Sequence, residues 1–264
     1  MQSAPPLAQD DPTIPPIVQV DAIWLTQLRP TGKIRIDGKG RRRLVKARVK
    51  RPLLLALGVW PESGHCVLLA WQLAESEDEA AWLAFLSALE AAGIRGENGL
   101  QLLIHDGGAG LCAALRIVHF DAPTQRCLFH KLRNIANALH LPEGLSRRER
   151  TRQRKAILKD FRAIWQAKRP ATLLRRYRQV VRCYRHTQPA AVATLRRDFR
   201  ATIAYLSLET KHPTWPRAFL RTTSHLERVN RRIRRRARAA SAFHSDQGIL
   251  AMISQEAAAL TAAA

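Results

Sequence analysis

Pro52-Leu53-Leu54-Leu55-Ala56-Leu57-Gly58-Val59-Trp60 and His65-Cys66-Val67-Leu68-Leu69-Ala70-Trp71-Gln72-Leu73 are two apolar runs separated by Pro61-Glu62-Ser63-Gly64. Runs of this length on either side of a Pro/Gly turn read as paired strands. A third run lies upstream, within residues 17–28: Ile17-Val18-Gln19-Val20-Asp21-Ala22-Ile23-Trp24-Leu25. The three together predict an antiparallel meander. Between the first and second, residues 29–51 (RPTGKIRIDGKGRRRLVKARVKR) are rich in Gly, Arg and Lys and read as a loop or a long hairpin tip.

Downstream the pattern changes period. The acidic cluster Glu75–Glu79 places anions at the positive end of a helix that runs to about Ala92 and stops at Gly93. Residues 100–105 predict a fourth strand, 109–118 a helix, 124–129 a short fifth strand and 130–139 another helix. The order β-β-β-α-β-α-β-α predicts an α/β fold, a mixed sheet covered by helices. Residues 143–210 lack strand-like alternation. They show helical spacing instead, at Ile157, Phe161, Ile164 and Trp165, then at Leu173, Leu174, Tyr177 and Val181. We expect four segments: a disordered leader over 1–16, a catalytic core over 17–140, a basic helical insertion over 141–216, and final core helices over 217–264. Those final helices are one over 224–238 and a shorter one near the C-terminus.

The 264 residues carry a formal net charge of +23, and hydrophobic residues make up 46% of them. That composition supports a real core and excludes wholesale disorder. Residues 141–240 hold 28 Lys+Arg and 6 Asp+Glu, 28 − 6 = +22, so nearly all the net charge lies there. An imbalance of this kind points to a polyanion, nucleic acid before membrane. The alternative is a solvated Arg-rich face, which in ordinary folds carries matching Glu. Cys66, Cys112, Cys127 and Cys183 fit neither a disulfide framework nor a four-Cys zinc site, and read as reduced thiols of a cytoplasmic protein. No apolar run approaches a membrane span.

Three carboxylates stand out. Asp21 interrupts an apolar strand, and Asp106 ends another just before Gly107-Gly108. Glu227 opens the basic helix Ser224-His225-Leu226-Glu227-Arg228-Val229-Asn230-Arg231-Arg232. A carboxylate at a buried strand end is costly unless it is paired or binds a metal. Asp21 and Asp106 would lie on neighbouring strands, and ligands of α/β sheets collect at strand ends. Oxygen donors suit Mg²⁺ or Mn²⁺, and two such ions about 3.5–4 Å apart activate a water or a 3′-hydroxyl and stabilise the leaving oxygen. Each residue has a plainer reading. Asp106 is a turn residue before two glycines, and Ser224-x-x-Glu227 is a capping box. Arg228, Asn230, Arg231, Arg234 and Arg235 are candidate DNA contacts beside Glu227. Cys127 and His130 have metal-like spacing at one half only, short of the four ligands of tetrahedral zinc; a packed Cys and a helix-opening His are the alternative. His105 reads as a structural residue or a proton-transfer aid. Trp165 and Trp215 read as core or capping residues, or as stacking partners for an unpaired base.

The stretches Val20-Asp21-Ala22-Ile23-Trp24, His105-Asp106-Gly107-Gly108-Ala109-Gly110-Leu111, Gln125-Arg126-Cys127-Leu128-Phe129-His130-Lys131-Leu132-Arg133-Asn134, Thr222-Thr223-Ser224-His225-Leu226-Glu227-Arg228-Val229-Asn230-Arg231 and Ala242-Phe243-His244-Ser245 resemble the Mutator-type transposases of bacterial insertion sequences. The likeness runs from about Ile17 to Gln255. It implies an RNase H-like fold, with the DDE triad falling on Asp21, Asp106 and Glu227 and a helical insertion ahead of the Glu. It also places the family's Cys-x-x-His on Cys127 and His130. The implied activity is metal-dependent cleavage and strand transfer at insertion-sequence ends. The implied partner is double-stranded DNA, engaged by a homo-oligomer in a nucleoid-associated setting.

The family usually carries a helical DNA-binding region ahead of its first Asp, whereas here only about 20 residues precede Asp21. The expectation is an N-terminally shortened chain. Family members often have Asn at the position of Ser224 and Ser at that of His105. The rival readings are a non-catalytic DNA-binding remnant and a nuclease that cuts branched DNA without joining it.

Overall fold

The computed structural model describes residues 14–262. The strands are β1 (Ile17–Ile36), β2 (Arg42–Trp60), β3 (His65–Leu73), β4 (Leu102–His105) and β5 (Thr124–Arg126). They form one mixed sheet in the order β3-β2-β1-β4-β5. The predicted meander is present, with β1 antiparallel to β2 and β2 antiparallel to β3. β4 returns parallel to β1 after a helical crossover, with register Ile17↔Leu102 through Val20↔His105. Of the expected leader, residues 1–13 lie outside the described residues. Ile14–Pro16 are part of the core edge: the Pro16 carbonyl accepts from the amides of Gln101 and Leu102, and Pro15 packs against Gly58.

The chain divides into two compact units, residues 1–123 with 223–264, and residues 124–222. In the first, α1 (Glu79–Ala91) buries Trp82, Phe85, Leu86 and Leu89, the i, i+3, i+4, i+7 stripe of an amphipathic helix. Asp78 caps it, accepting from the Ala81 amide at 2.9 Å. The stripe packs on Val18, Val20, Leu54, Ala56 and Leu103, so one face of the sheet is sealed. Truncating Leu86 to Ala there would cost about 2–5 kcal/mol. α2 (Ala109–Ala114) approaches the start of α1 so closely that a Cβ on Gly110 would stand 2.6 Å from the Asp78 carbonyl carbon. Only glycine fits.

α9 (Ser224–Ala239) and α10 (Asp246–Thr261) complete this unit. The sequence pattern makes α10 the shorter helix, yet it spans 16 residues, like α9. Ser245 caps it by accepting from the Gly248 amide. Glu256, 2% exposed, holds Arg232 at 3.0 Å and Arg236 at 2.7 Å. Arg51 is likewise buried, donating to the Ala74 carbonyl and Gln27 and pairing with Glu75 and Asp246.

In the second unit β5 leads into α3 (Leu128–Asn137), α4 (Arg147–Gln166), α5 (Pro170–Tyr184), α6 (Pro189–Arg196), α7 (Tyr205–Lys211) and α8 (Arg217–Arg221). Phe161, Ile164, Trp165, Leu173, Val180, Leu195 and Tyr205 are buried. Leu174 departs from the expected stripe and is exposed, because Leu173 and Val180 face the core instead. Ser146 and Glu149 form a true capping box ahead of α4, which the basic composition of that segment hides. Trp165 is 2% exposed and donates to Thr202 at 3.0 Å, and Trp215 stacks on His212 at 3.9 Å and is 5% exposed. Neither is free to stack on a base, which corrects that option. Lys131 is buried and held by Asp198 and the Arg197 carbonyl.

Candidate active site

The parallel β1–β4 register ends at Val20↔His105, so Asp21 and Asp106 are the next residues on two adjacent strands. Neighbouring strands lie about 4.8 Å apart, and the two carboxylates repel each other. Beyond this point β4 stops while β1 continues, and Phe243 bridges it farther along at Thr26–Leu28. The plainer reading of Asp106 is also realised: its Oδ1 accepts from the Gly108 amide at 2.8 Å, and Gly107 takes φ 78° to make that turn. The turn uses one oxygen of Asp106 and fixes the direction of the other.

α9 brings the third carboxylate. The Leu226 amide donates to Gln19 Oε1 at 3.0 Å, and Asn230 Nδ2 donates to Asp21 Oδ2 at 2.8 Å. Four helical residues rise about 6 Å, and two strand residues about 6.6 Å. The match docks the helix alongside β1 with fixed register. Glu227, three residues before Asn230, is thereby carried to Asp21, whose carboxyl feels its charge. Burial first, then Asp106 and Glu227, push the Asp21 carboxyl up to about 7 against the lowering effects of the Ala22 backbone and Arg234.

The capping-box reading of Ser224 is corrected. Ser224 is the first helical residue, Thr223 holds the cap position, and no side chain caps the helix. Thr223 Oγ1 instead lies 3.5 Å from Glu227 Oε1.

Asn230 is also corrected. The sequence pattern places it among the DNA contacts, but it is 1% exposed and its amide is committed to Asp21. Its Oδ1 is buried with no hydrogen-bond partner among the described residues. A buried acceptor without a donor is costly, and its position beside Asp21 suits a metal-bound water or a cation. The residues therefore fit a divalent ion on oxygen chemistry. Arg228, Arg231, Arg234 and Arg235 are exposed, whereas Arg232 and Arg236 belong to Glu256.

Sequence reasoning misses Glu77 and Gln19. Glu77 is a half-buried carboxylate whose pKa is raised by burial and by Asp106, and Trp24 Nε1 donates to it at 3.0 Å. It sits within the acidic cluster that reads as a helix start, with no signal pointing to Asp106. His105 is buried, with Nδ1 4.0 Å from Cys112 Sγ, so it faces α2. His225 is pushed down to about 4 by burial and Arg228 and stays neutral. In the other unit, Cys127 is fully buried ahead of α3 and His130 is buried in the helix's first turn. None of the four cysteines is held in a disulfide among the described residues. Burial raises Cys66 to about 11, which makes it a poor nucleophile.

A family model described as "Transposase, Mutator family" matches residues 38–260. The chain is 34% identical over 224 residues to the transposase for insertion sequence element IS406 of Burkholderia multivorans, covering 84% of this chain and 51% of that one. It is 32% identical over 185 residues to the transposase for IST2 of Acidithiobacillus ferrooxidans, covering 70% and 56%. It is 29% identical over 207 residues to the transposase for ISRM5 of Rhizobium meliloti, covering 78% and 47%. The chain thus spans about half the length of the relatives it matches. Among the described residues no helix is long and apolar enough to cross a membrane.

Proposed function

The chain belongs to the Mutator family of transposases, and on that premise we propose that Asp21, Asp106 and Glu227 form the DDE site of an RNase H-like domain that cleaves and joins DNA strands at insertion-sequence ends. The observation that carries the reading is convergence. Asp106, at the end of β4, and Glu227, on α9, both act by charge on the buried Asp21 carboxyl of β1, to which Asn230 is bonded. A fold built for stability alone has no reason to bury Asp21 beside two like charges.

Asp21, Asp106 and Glu227 would hold Mg²⁺ or Mn²⁺, two ions in our reading. When bound, such ions activate the attacking hydroxyl and stabilise the leaving oxygen. The chain's own residues set the geometry. Asn230 orients the Asp21 carboxylate, and the Gly108 amide orients that of Asp106. The docking of α9 on Gln19 fixes where Glu227 stands. No protein nucleophile is needed, in keeping with a protonated Cys66 and a buried His105. The exposed Arg228, Arg231, Arg234 and Arg235 continue from Glu227 along α9 and would hold phosphates.

The partner in this reading is duplex DNA, as transposon end and target, engaged by a homo-oligomer. Strand transfer from precut element-end DNA in Mg²⁺ or Mn²⁺ tests it. Joined product supports the reading. DNA binding without turnover supports the remnant alternative, and cleavage of branched DNA without joining supports the nuclease.

A further inference from the structure

We propose that the β1–β2 arm, residues 30–50, is a DNA-binding ribbon that enters a groove of the duplex. This rests on the reading of the chain as a DNA-acting enzyme and adds a binding surface separate from α9.

The arm is a paired hairpin. Its register runs from Arg29↔Ala47 through Ile34↔Leu44 to Ile36↔Arg42, with one irregularity between Pro30 and Ile34. The last tie to the rest of its unit lies near its base, where Leu28 donates to the Phe243 carbonyl and Arg48 to that of Ser241. Beyond that, residues 30–36 rise roughly 20–25 Å. All of residues 30–50 are exposed except Asp37, Val45 and Val49, which are half-buried.

Residues 30–50 contain nine Lys+Arg and one acid, Asp37, 9 − 1 = +8. Asp37 is committed to the turn, accepting from the Lys39 and Arg41 amides and from Arg43 Nε, each at 3.0 Å. The side chains of Lys33, Arg35, Lys39, Arg41, Arg42 and Lys46 make no hydrogen bond or ion pair among the described residues. Arg35 stands directly opposite Arg43.

The distribution of charge selects the partner. Ile34, Ile36, Arg42, Leu44 and Lys46 share one face of the ribbon by register, and Arg35 and Arg43 the other. A flat lipid surface would meet one face only, and a second copy would bring +8 against +8. A nucleic-acid groove surrounds both faces. The major groove, about 12 Å wide, admits a two-stranded ribbon. Ile34, Ile36 and Leu44, each at least 50% exposed, supply apolar contacts to bases or sugars of the kind groove-binding ribbons make.

The test uses the full chain without metal on a random-sequence duplex. Lys33→Gln, Arg35→Gln, Arg42→Gln and Lys46→Gln are combined, and log K is followed against log[salt]. All four side chains are exposed, so an unchanged thermal melt confirms folding. Each phosphate that the protein no longer neutralises flattens the slope by about 0.9, so we expect a slope reduced by roughly two to four units, with affinity at least about tenfold lower. In parallel, a photo-crosslinking Leu44→p-benzoylphenylalanine chain should attach to DNA. Unchanged slope and affinity overturn the proposal. So does a variant that alters self-association alone, or a Leu44 probe that crosslinks only to protein. A wild-type chain that binds no duplex overturns this proposal and the transposase reading together. Arm-dependent binding without metal-dependent joining overturns the catalytic reading alone.

Discussion

Asn230 Nδ2 donates to Asp21 Oδ2 at 2.8 Å across 209 residues of sequence, and both side chains are buried. This bond joins α9 to the first strand. It explains how Glu227, far from Asp21 in the chain, is held beside it. It also leaves Asn230 Oδ1 buried and, among the described residues, unpartnered beside Asp21.

Asn230→Ala should therefore act on the metal and not on DNA. Groups that orient metal ligands typically contribute 10–100-fold in affinity or activity, and we expect Mn²⁺ affinity, measured by calorimetry, and the rate of joining to fall by about that range. DNA affinity should not change. Weaker DNA binding with metal affinity intact would return Asn230 to the role of a phosphate-binding residue.

The Asp21 carboxyl is raised to about 7 by burial, Asp106 and Glu227. Between its unfolded value near 3.8 and 7 the folded chain holds this proton more tightly than the unfolded one. Its contribution to stability is thus present at low pH and lost as pH rises toward 7. In metal-free protein, Asp21→Asn should remove that loss and stabilise the chain above pH 7 by up to about 4 kcal/mol. It should have little effect near pH 4. Urea melts in EDTA at the two extremes measure the difference, and equal stability of the two chains at high pH would contradict the burial of a coupled carboxylate.

The arginines of α9 divide into two sets. Replacing the exposed Arg228, Arg231, Arg234 and Arg235 with Gln should flatten the salt dependence of DNA binding by about one unit for each phosphate left unneutralised, and leave the melting temperature in place. Glu256→Gln should do the opposite. It leaves Arg232 and Arg236 without their buried anion and should cost about 1–3 kcal/mol with no change in salt slope. Exchanged outcomes would mean that the helix is rotated about its axis.

Much of this is legible in the sequence because the signals are local. The β2–β3 hairpin follows from two apolar runs and a Pro/Gly turn, and α1 from an acidic start and a Gly stop. Asp21 is conspicuous because a carboxylate amid Val20 and Ile23 needs a partner. What cannot be read is partnership across distance. Asn230 has the same local pattern as a solvent-facing residue of a basic helix, and only the docking of α9 on Gln19 turns it inward. Ser224-x-x-Glu227 and Ser146-x-x-Glu149 are the same motif. The second forms a capping box, while at the first the helix begins one residue earlier, with Thr223 in the cap position and Ser224 already helical. The arm at 29–51 is ambiguous because none of residues 30–50 is fully buried, and their glycines and charges read as a loop.

The most direct test of the central claim is strand transfer in Mg²⁺ or Mn²⁺ by Asp21→Asn, Asp106→Asn and Glu227→Gln, with DNA affinity measured on the same proteins. Loss of joining in each of the three, at wild-type DNA affinity, is the result predicted for oxygen ligands that do no phosphate binding. Wild-type joining by Glu227→Gln, or by either aspartate variant, would show that these carboxylates do not form the catalytic site.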